Sequence, residues 1–218
     1  MLLPIDHGRA AQELALADRP LGRMIDRIGP FKLEIQSTRS PFESLVRAIV
    51  YQQLTGKAAA TILDRVKALY ESRAFPKPKQ ILDTPPEVLR GAGLSRAKTA
   101  ALLDLAGKTL SGTVPSLTKI KRMTDDEIVL CLTSIRGVGV WTAEMLLIFG
   151  LGRPDVLPIH DYGLRKGFAR TFKKKELPTP KEVASRGERW RPYRTVASWY
   201  LWRASELPHD NRRPPSGA

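Results

Sequence analysis

The sequence has few of the features that mark secreted, disulfide-stabilised or membrane-spanning proteins. It contains one cysteine, Cys131, among 218 residues, which excludes an intrachain disulfide and any cysteine-rich metal site. No apolar run approaches the roughly 20 residues that a membrane-spanning helix needs, and the N-terminus shows no signal-peptide pattern. We therefore expect a cytoplasmic protein that makes no membrane contact.

Acidic residues are scarce relative to basic ones. The chain has 22 Asp and Glu against 36 Lys and Arg, which gives a formal net charge of +14. Such an excess attracts polyanions and accelerates encounter with them. A solubilising surface, a nucleic acid and an anionic membrane surface all suit this charge. Because no apolar run is long enough to span a membrane, we take a nucleic acid as the candidate partner.

Capping signals predict a mainly helical fold. Ser or Thr is followed three residues later by Glu at four places, so that the two side chains can satisfy free backbone amides at a helix N-terminus; these are residues 40–43, 84–87, 124–127 and 179–182. The predicted helices span about 9–28, 41–54, 56–72, 85–91, 96–110, 125–134, 140–150, 161–173, 180–188 and 192–206. A strand-like run at 32–36 is too short and too isolated to make a sheet.

A weak internal repeat relates residues 89–103 to residues 135–149. Each copy has the pattern of a helix end, Gly-x-Gly and a new helix. The first copy fits either a glycine that ends a helix or a second site of exposed backbone amides, and we favour the helix end.

The segment from Leu132 to Phe168 carries the strongest functional signal. It has the pattern of a helix, a tight turn with Gly137 and Gly139, a second helix, a Gly/Pro-rich loop and then Asp161 at the start of a third helix. Glycine leaves no side chain between the backbone and a ligand, and the amides of such a turn suit a phosphate. An enzyme that acts on a nucleotide within DNA needs this combination of phosphate site and carboxylate. From the local pattern alone, Asp161 also fits a helix N-terminal residue that the helix dipole favours.

This segment resembles the signature of the helix–hairpin–helix–Gly/Pro–Asp superfamily of DNA repair glycosylases, and within it the 3-methyladenine DNA glycosylase II group. The hairpin followed by Pro158 and Asp161 at this spacing carries the resemblance, which extends from about Ser40 to Glu206. It implies an all-α fold of two helical lobes, with the helix–hairpin–helix motif and an active-site cleft between the lobes. The implied lobes are residues 41–149, and residues 1–40 together with 150–208, followed by a flexible tail at 209–218.

The resemblance implies that Asp161 is the catalytic residue. A carboxylate close to the sugar stabilises the oxocarbenium character that develops when an N-glycosidic bond breaks, and it can orient or deprotonate a water. Bifunctional relatives have a lysine nucleophile where this chain has Trp141, so the resemblance implies a monofunctional enzyme without lyase activity. His160 stands where close relatives often have an acidic or small residue. The alternatives for it are tuning Asp161, contacting DNA, or a structural or solvent-facing position.

The resemblance also places aromatic residues at the substrate base. Trp141, Tyr162 and Trp202 would surround the extruded base, where their rings can hold a cationic alkylpurine by stacking and cation–π attraction. Met145 falls in this pocket where a relative has tyrosine. Ordinary core packing is the alternative for each of these side chains.

Further residues are implied in DNA and ion binding. Gln53, with Gln52 beside it, matches the side chain that fills the gap left by a flipped base, and a polar loop between two helices is the alternative. Phosphate contacts are expected from the backbone of Gly137, Val138, Gly139 and Val140, helped by basic side chains among Lys57, Arg96, Lys98, Arg136, Arg165 and Lys166. The carbonyls of Thr133, Ile135 and Val138 match a structural monovalent-cation site. A single cysteine cannot hold the iron–sulfur cluster of some relatives.

The leading hypothesis is a monomeric DNA glycosylase that acts on double-stranded DNA. It would flip out an alkylated purine of the 3-methyladenine or 7-methylguanine type and hydrolyse its N-glycosidic bond in base excision repair, without a catalytic cofactor. The alternatives are a non-catalytic helix–hairpin–helix protein that recognises damaged DNA, and a glycosylase for a deaminated or oxidised base. Asp161 and the aromatic residues separate the leading hypothesis from the non-catalytic alternative, because a protein that only binds DNA needs neither.

Overall fold

The computed structural model describes residues 2–36, 40–70 and 75–208, and most of these residues are helical. The helices are α1 (His7–Ala17), α2 (Arg19–Ile28), α3 (Pro41–Tyr51), α4 (Gly56–Ala68), α5 (Pro78–Asp83), α6 (Pro86–Gly91), α7 (Arg96–Leu110), α8 (Leu117–Ile120), α9 (Asp125–Thr133), α10 (Val140–Met145), α11 (Tyr162–Thr171), α12 (Pro180–Gly187) and α13 (Arg194–Glu206). The predicted flexible tail, residues 209–218, lies outside the described residues.

The predicted all-α class is confirmed. Across the described ranges no β-sheet forms, and an isolated antiparallel bridge joins Leu2 to Glu34 within the strand-like run. None of the described helices is both long and apolar enough to cross a membrane.

The chain divides into two compact units, here called the central unit (residues 35–152) and the terminal unit (Leu2–Glu34 with the chain from Arg153 onward). The central unit contains α3 to α10, and α7 contacts both α3 and α5 within it. Its core consists of aliphatic side chains with no accessible surface, among them Val46, Ile49, Leu102, Leu105 and Leu132.

The terminal unit is organised by the packing of α11 on α13. Phe31, after α2, contacts Trp199 of α13 edge-to-face with a centroid distance of 5.0 Å. The Tyr200 hydroxyl donates to Gly29 O at 3.1 Å. These contacts join the N-terminal part of the unit to its last helix.

Three of the four predicted capping signals lie at helix N-termini. The Ser40 hydroxyl accepts from the Glu43 amide, and reciprocal boxes form at 124–127 and 179–182. The prediction at 84–87 is wrong, because Thr84 ends α5 and its hydroxyl donates to Gln80 O at 2.7 Å. With that hydroxyl engaged, α6 begins at Pro86 and no side chain caps it.

The helix predicted at 9–28 is also wrong, since the chain forms α1 and α2 with a break at Asp18. The Asp18 backbone is extended (φ −147°), and its carboxylate accepts hydrogen bonds from Arg186 and Trp190 within the terminal unit. Pro20 then lies in the first turn of α2, where its missing amide costs nothing.

Smaller differences concern short or irregular helices. The predictions omit α5 and α8, which have six and four residues. The helix predicted at 140–150 changes its hydrogen bonding after Met145, because residues Leu146–Gly150 form a π-helical turn with Leu151 N donating to Leu146 O at 2.9 Å.

The first copy of the internal repeat is a helix end, as favoured. Gly93 follows α6 with φ +106°, a conformation that suits glycine, and its amide donates to Arg90 O at 2.9 Å. The next helix, α7, is capped by the Ser95 hydroxyl, which accepts from Lys98 N.

Candidate active site

Asp161 is the N-terminal cap of α11, which matches the simpler interpretation of its sequence position. Its Oδ1 atom accepts hydrogen bonds from Leu164 N at 2.7 Å and from the Trp202 indole Nε1 at 2.8 Å. The side chain is half-buried. Two hydrogen-bond donors on one oxygen fix the orientation of the carboxylate. One donor, Leu164, belongs to α11 itself and the other, Trp202, belongs to α13.

The approach of α11 to α13 makes the Asp161–Trp202 bond possible. An added Cβ at Gly163 would lie 3.3 Å from Asp161 Oδ1 and 3.4 Å from Trp202 Cδ1. At Gly167, one turn later, an added Cβ would lie 1.7 Å from Leu201 O. The predictions do not include Gly163 and Gly167. The two glycines are four residues apart, which puts them on the same face of a helix, and this spacing is the signal that could have identified them.

Two candidate aromatic residues thus lie with the acid in the terminal unit. Tyr162 follows Asp161 directly and is 68% exposed, while Trp202 is half-buried beneath the carboxylate. His160 is exposed. The exposed Tyr162 ring and the half-buried Trp202 indole, both next to the Asp161 carboxylate, can present an aromatic surface to a ligand that approaches Asp161.

The other two pocket candidates lie in the central unit. Trp141, the second residue of α10, is 47% exposed, which excludes a role as ordinary buried core. Met145, one turn later, lines a cavity of about 340 Å³ together with Tyr51, Phe149, Gln36 and Ser44. A cavity of this size, with aromatic and polar walls, is large enough for a nucleobase.

The predicted hairpin is formed by α9, a turn at residues 134–139, and α10. Gly137 has φ +75°, and Val138 N donates to Ile135 O at 3.0 Å to close the turn. Gly139 precedes the first residue of α10, and an added Cβ there would meet no atom within 4 Å. The Val138 side chain is buried and Val140 is exposed, so a DNA contact at Val138 would use its backbone.

Side chains from α7 hold the start of this turn. Asp104 Oδ2 accepts from Arg136 N at 2.7 Å, and Lys108 Nζ donates to the same oxygen at 2.8 Å and to Ser134 O at 2.5 Å. Burial favours a higher pKa for Asp104, but the bonds from the Arg136 amide and from Lys108 outweigh it, and the pKa is lowered. The predictions do not include Asp104 or Lys108, since they precede the hairpin by some thirty residues and carry no local motif.

The candidate gap-filling loop contacts the hairpin inside the central unit. Gln52 Nε2 donates to Gly137 O at 2.9 Å, so this amide fixes the turn. Gln53 is exposed and has φ +55°, which is uncommon for a residue other than glycine. The loop therefore presents Gln53 outward while Gln52 joins it to the hairpin.

The basic candidates divide into structural and exposed residues. Lys98 Nζ donates to Val50 O and Gln52 O, at 2.7 Å each, and burial lowers its pKa. Arg165 Nε donates to Pro178 O. Both cations therefore bind main-chain carbonyls of the fold, whereas the side chains of Lys57, Arg96, Arg136 and Lys166 are exposed.

The cation candidates Thr133, Ile135 and Val138 lie at the end of α9 and in the turn. Carbonyl oxygens are ligands that suit a hard cation. The Ile135 carbonyl also accepts a hydrogen bond from Val138 N. Among the described residues no group of three or more His, Cys, Asp and Glu side chains could hold a metal ion.

Comparison with known proteins places this geometry in a family. A family model described as the HhH-GPD superfamily of base excision DNA repair proteins matches residues 46–192. The chain is 36% identical over 200 residues to DNA-3-methyladenine glycosylase 1 of Schizosaccharomyces pombe, with 91% of this chain and 88% of that protein covered. It is 33% identical to an alkylbase DNA glycosidase-like protein of the same organism, with 93% and 95% covered.

The fold agrees with the sequence comparison. The structure of the Schizosaccharomyces pombe 3-methyladenine DNA glycosylase in complex with abasic DNA superposes with a TM-score of 0.81 at 36% identity, and the match covers 91% of this chain and 97% of that one. The helix–hairpin–helix turn, the Gly/Pro-rich loop and Asp161 all lie within the matched family segment. This chain belongs to the HhH-GPD superfamily of base excision DNA repair proteins.

Proposed function

We propose that the protein is a DNA glycosylase that releases alkylated purines, of the 3-methyladenine and 7-methylguanine type, from double-stranded DNA in base excision repair. The single observation that carries the proposal is the half-buried Asp161 carboxylate, held by the Trp202 indole and by the N-terminus of α11 beside an exposed tyrosine. The similarity to a 3-methyladenine DNA glycosylase over most of both chains supports the choice of substrate class.

In this proposal Asp161 stabilises positive charge on the deoxyribose. As the bond between C1′ and the purine nitrogen breaks, its electron pair leaves with the base and the sugar becomes an oxocarbenium ion. A fixed carboxylate lowers the energy of that ion. It also orients the water that adds to C1′ and accepts the proton that this water loses. The indole N–H of Trp202 and the amide of Leu164 keep the carboxylate in one orientation throughout.

The aromatic candidates hold the departing base. Alkylated purines that carry a positive charge are good leaving groups, so one carboxylate suffices, and electron-rich rings attract them. We assign this role to Trp141, Tyr162 and Trp202, with Met145 as a polarisable apolar contact. The exposure of Trp141 and Tyr162 supports their availability to a ligand.

The reaction ends at an abasic site. A lyase needs an amine that attacks the sugar as a Schiff-base nucleophile, and the family resemblance places Trp141 at the position of the lysine that supplies this amine in bifunctional relatives. We therefore propose a monofunctional enzyme that uses water.

DNA binding is assigned to the hairpin and its neighbours. The backbone of Gly137, Val138, Gly139 and Val140 would bind a phosphate, with Lys57 and Arg136 as basic helpers. Gln53 would fill the gap in the base stack, and the carbonyls of Thr133, Ile135 and Val138 would hold a monovalent cation. The open space at Gly139 and the outward position of Gln53 support these assignments.

We further propose that the protein is cytoplasmic and monomeric. Light scattering after size-exclusion chromatography tests the monomeric state.

The proposal is tested by incubating the protein with methylated duplex DNA and measuring released base by chromatography. We expect free 3-methyladenine and 7-methylguanine, an intact phosphodiester backbone and no covalent adduct after borohydride treatment. Binding without base release would favour the non-catalytic alternative. A borohydride-trapped adduct would contradict the monofunctional assignment.

A further inference from the structure

The loop that leads to Asp161, residues 152–160 (the aspartate loop), is bound at its start by Thr195 of α13. The Thr195 hydroxyl donates to Arg153 O at 2.6 Å and accepts from Val156 N at 3.0 Å. The Thr195 amide donates to Pro154 O at 3.0 Å. The side chain has no accessible surface, so one buried hydroxyl pairs two main-chain groups of the loop that need partners.

Charged contacts fix the same part of the loop. Arg194 donates to the Asp155 carboxylate in a bidentate pair, Nε to Oδ1 at 2.8 Å and Nη2 to Oδ2 at 3.0 Å. Arg191 Nη1 adds a third bond to Oδ2 at 2.8 Å. The buried Ser198 hydroxyl lies 3.2 Å from Val156 O. A bidentate pair constrains orientation as well as distance, so the first two turns of α13 define the path of residues 153–156.

The same helix also contacts the residue at which the loop ends. Trp202 follows Thr195 by seven residues, which is about two helical turns and about 10 Å along α13, and its indole donates to Asp161 Oδ1. Between these points the Leu157 side chain fills the space at Gly187, where an added Cβ would lie 2.2 Å from Leu157 Cδ2. α13 therefore binds the loop at residues 153–156 and also binds Asp161, the residue that directly follows the loop.

We infer that Thr195 is a positioning residue for base release, and that the Asp155–Arg194 pair assists it. Neither residue is proposed to touch the substrate. They set the position at which the loop delivers the Asp161 carboxylate to the Trp202 indole. This inference rests on the proposed function, since it takes Asp161 as the group that acts on the sugar.

The test uses the 218-residue chain with Thr195→Val, which keeps the shape of the side chain and removes the hydroxyl. We expect the single-turnover rate of base release to fall by up to about 100-fold, since a misplacement of about 1 Å can have that effect. The Kd for duplex DNA with an abasic site should stay within about twofold of the wild-type value. Thr195→Ser retains the hydroxyl and should restore the rate to within about threefold.

A matched control separates positioning from loss of stability. Thr171 of α11 is also buried, and its hydroxyl donates to Gly167 O of its own helix at 2.8 Å. Thr171→Val should therefore leave the rate unchanged. A second readout is the indole ¹⁵N–¹H resonance of Trp202, assigned by its loss in Trp202→Phe. This resonance should move in Thr195→Val and stay in place in Thr171→Val.

The outcomes distinguish the inference from the proposed function. A Thr195→Val protein that releases base at the wild-type rate, with the Trp202 resonance unmoved, overturns the inference and leaves the function intact. A wild-type protein that releases no base overturns the function, while a shifted resonance still supports the positioning role. If Thr195→Val does not fold, Asp155→Asn is read by the same assays, and an unchanged rate with an unmoved resonance overturns the inference.

Discussion

At the scale of single residues, the orientation of Asp161 depends on a tryptophan 41 positions away. Oδ1 accepts the indole proton of Trp202 and the amide proton of Leu164. A hydrogen bond to a charged group contributes about 1.5–3 kcal/mol. If the transition state uses the full interaction, its loss corresponds to a rate change of about ten- to a hundredfold.

Trp202→Phe tests this contact, because it keeps an aromatic ring and removes the donor. We expect base release to slow about tenfold while the Kd for abasic DNA changes less than about twofold. Trp199→Phe, three residues earlier on α13 and packed against Phe31, controls for the loss of an indole from the same helix. Equal rates for wild type and Trp202→Phe would contradict the orienting role.

The sequence shows where Asp161 is, but its hydrogen-bond partners have to be read from the fold. A glycine hairpin followed by a Gly/Pro-rich loop and an aspartate is a local pattern, so the residue can be found without coordinates. Its bond to Trp202 and the anchoring of its loop by Thr195 depend on how α11 and α13 pack. Asp104 and Lys108 escape prediction for the same reason, because they contact the hairpin from a different helix.

At the scale of elements, the site depends on how closely α11 approaches α13. Gly167 faces the Leu201 carbonyl with no room for a methyl group. Gly167→Ala should therefore lower the free energy of unfolding by about 1–3 kcal/mol, the usual cost of overpacking, and should slow base release. Denaturant titration measures the first effect and single-turnover assays the second.

Gly107→Ala is the matched control for that substitution. Gly107 lies within α7, and an added Cβ would meet nothing within 4 Å. Alanine there should stabilise the protein by about 0.5–1 kcal/mol, because glycine is a poor helix former. Equal free energies of unfolding for Gly167→Ala and Gly107→Ala would contradict the claim that the close contact between α11 and α13 at Gly167 leaves no room for a methyl group.

The break between α1 and α2 supplies a pH-dependent contact. Burial favours a higher pKa for Asp18, but hydrogen bonds from Arg186 and Trp190 outweigh it and lower the pKa below the ordinary value. The stabilisation by this carboxylate is therefore present above its unfolded pKa, near 3.8, and is lost as the pH falls through the lower folded pKa.

Asp18→Asn should cost about 3 kcal/mol at pH 7, since it leaves the Arg186 cation and the buried Trp190 indole without the charged partner. The difference in unfolding free energy between wild type and variant should shrink as the pH falls below about 4. Urea titrations at several pH values check both statements. A difference that stays constant down to pH 2 would contradict the assignment to this carboxylate.

Helix prediction succeeds where a capping pair has no competitor and fails where another hydrogen bond, local at Thr84 and tertiary at Asp18, decides the backbone. The boxes at 124–127 and 179–182 form as predicted because cap and partner lie within one turn. Thr84 does not cap α6 as predicted, because its hydroxyl donates to Gln80 O in the preceding helix. The interruption at Asp18 escaped prediction because the carboxylate that stabilises it binds side chains more than 160 residues away.

At the scale of the whole molecule, the net charge of +14 should make DNA binding strongly salt-dependent. Each phosphate that a basic side chain neutralises adds about 0.9 to the slope of log Kd against log salt concentration. We expect Arg136→Gln, beside the hairpin glycines, to reduce that slope by about one.

Lys79→Gln is the control for charge itself. Lys79 lies on α5 and pairs with Asp83, so the variant removes the same formal charge from a site with no assigned DNA contact. We expect its slope to match that of the wild type. If both variants reduced the slope equally, general charge rather than the hairpin would control binding.

The central claim, that the Asp161 carboxylate drives base release, is tested most directly by comparing wild type with Asp161→Asn on methylated duplex DNA. Asparagine keeps the shape of the side chain and an oxygen that can accept from Leu164 and Trp202, so the fold and DNA affinity should be retained. We predict that the single-turnover rate of 7-methylguanine release falls at least about a hundredfold, with the Kd for abasic DNA unchanged within about twofold. Release by Asp161→Asn at a rate close to that of the wild type would contradict the account.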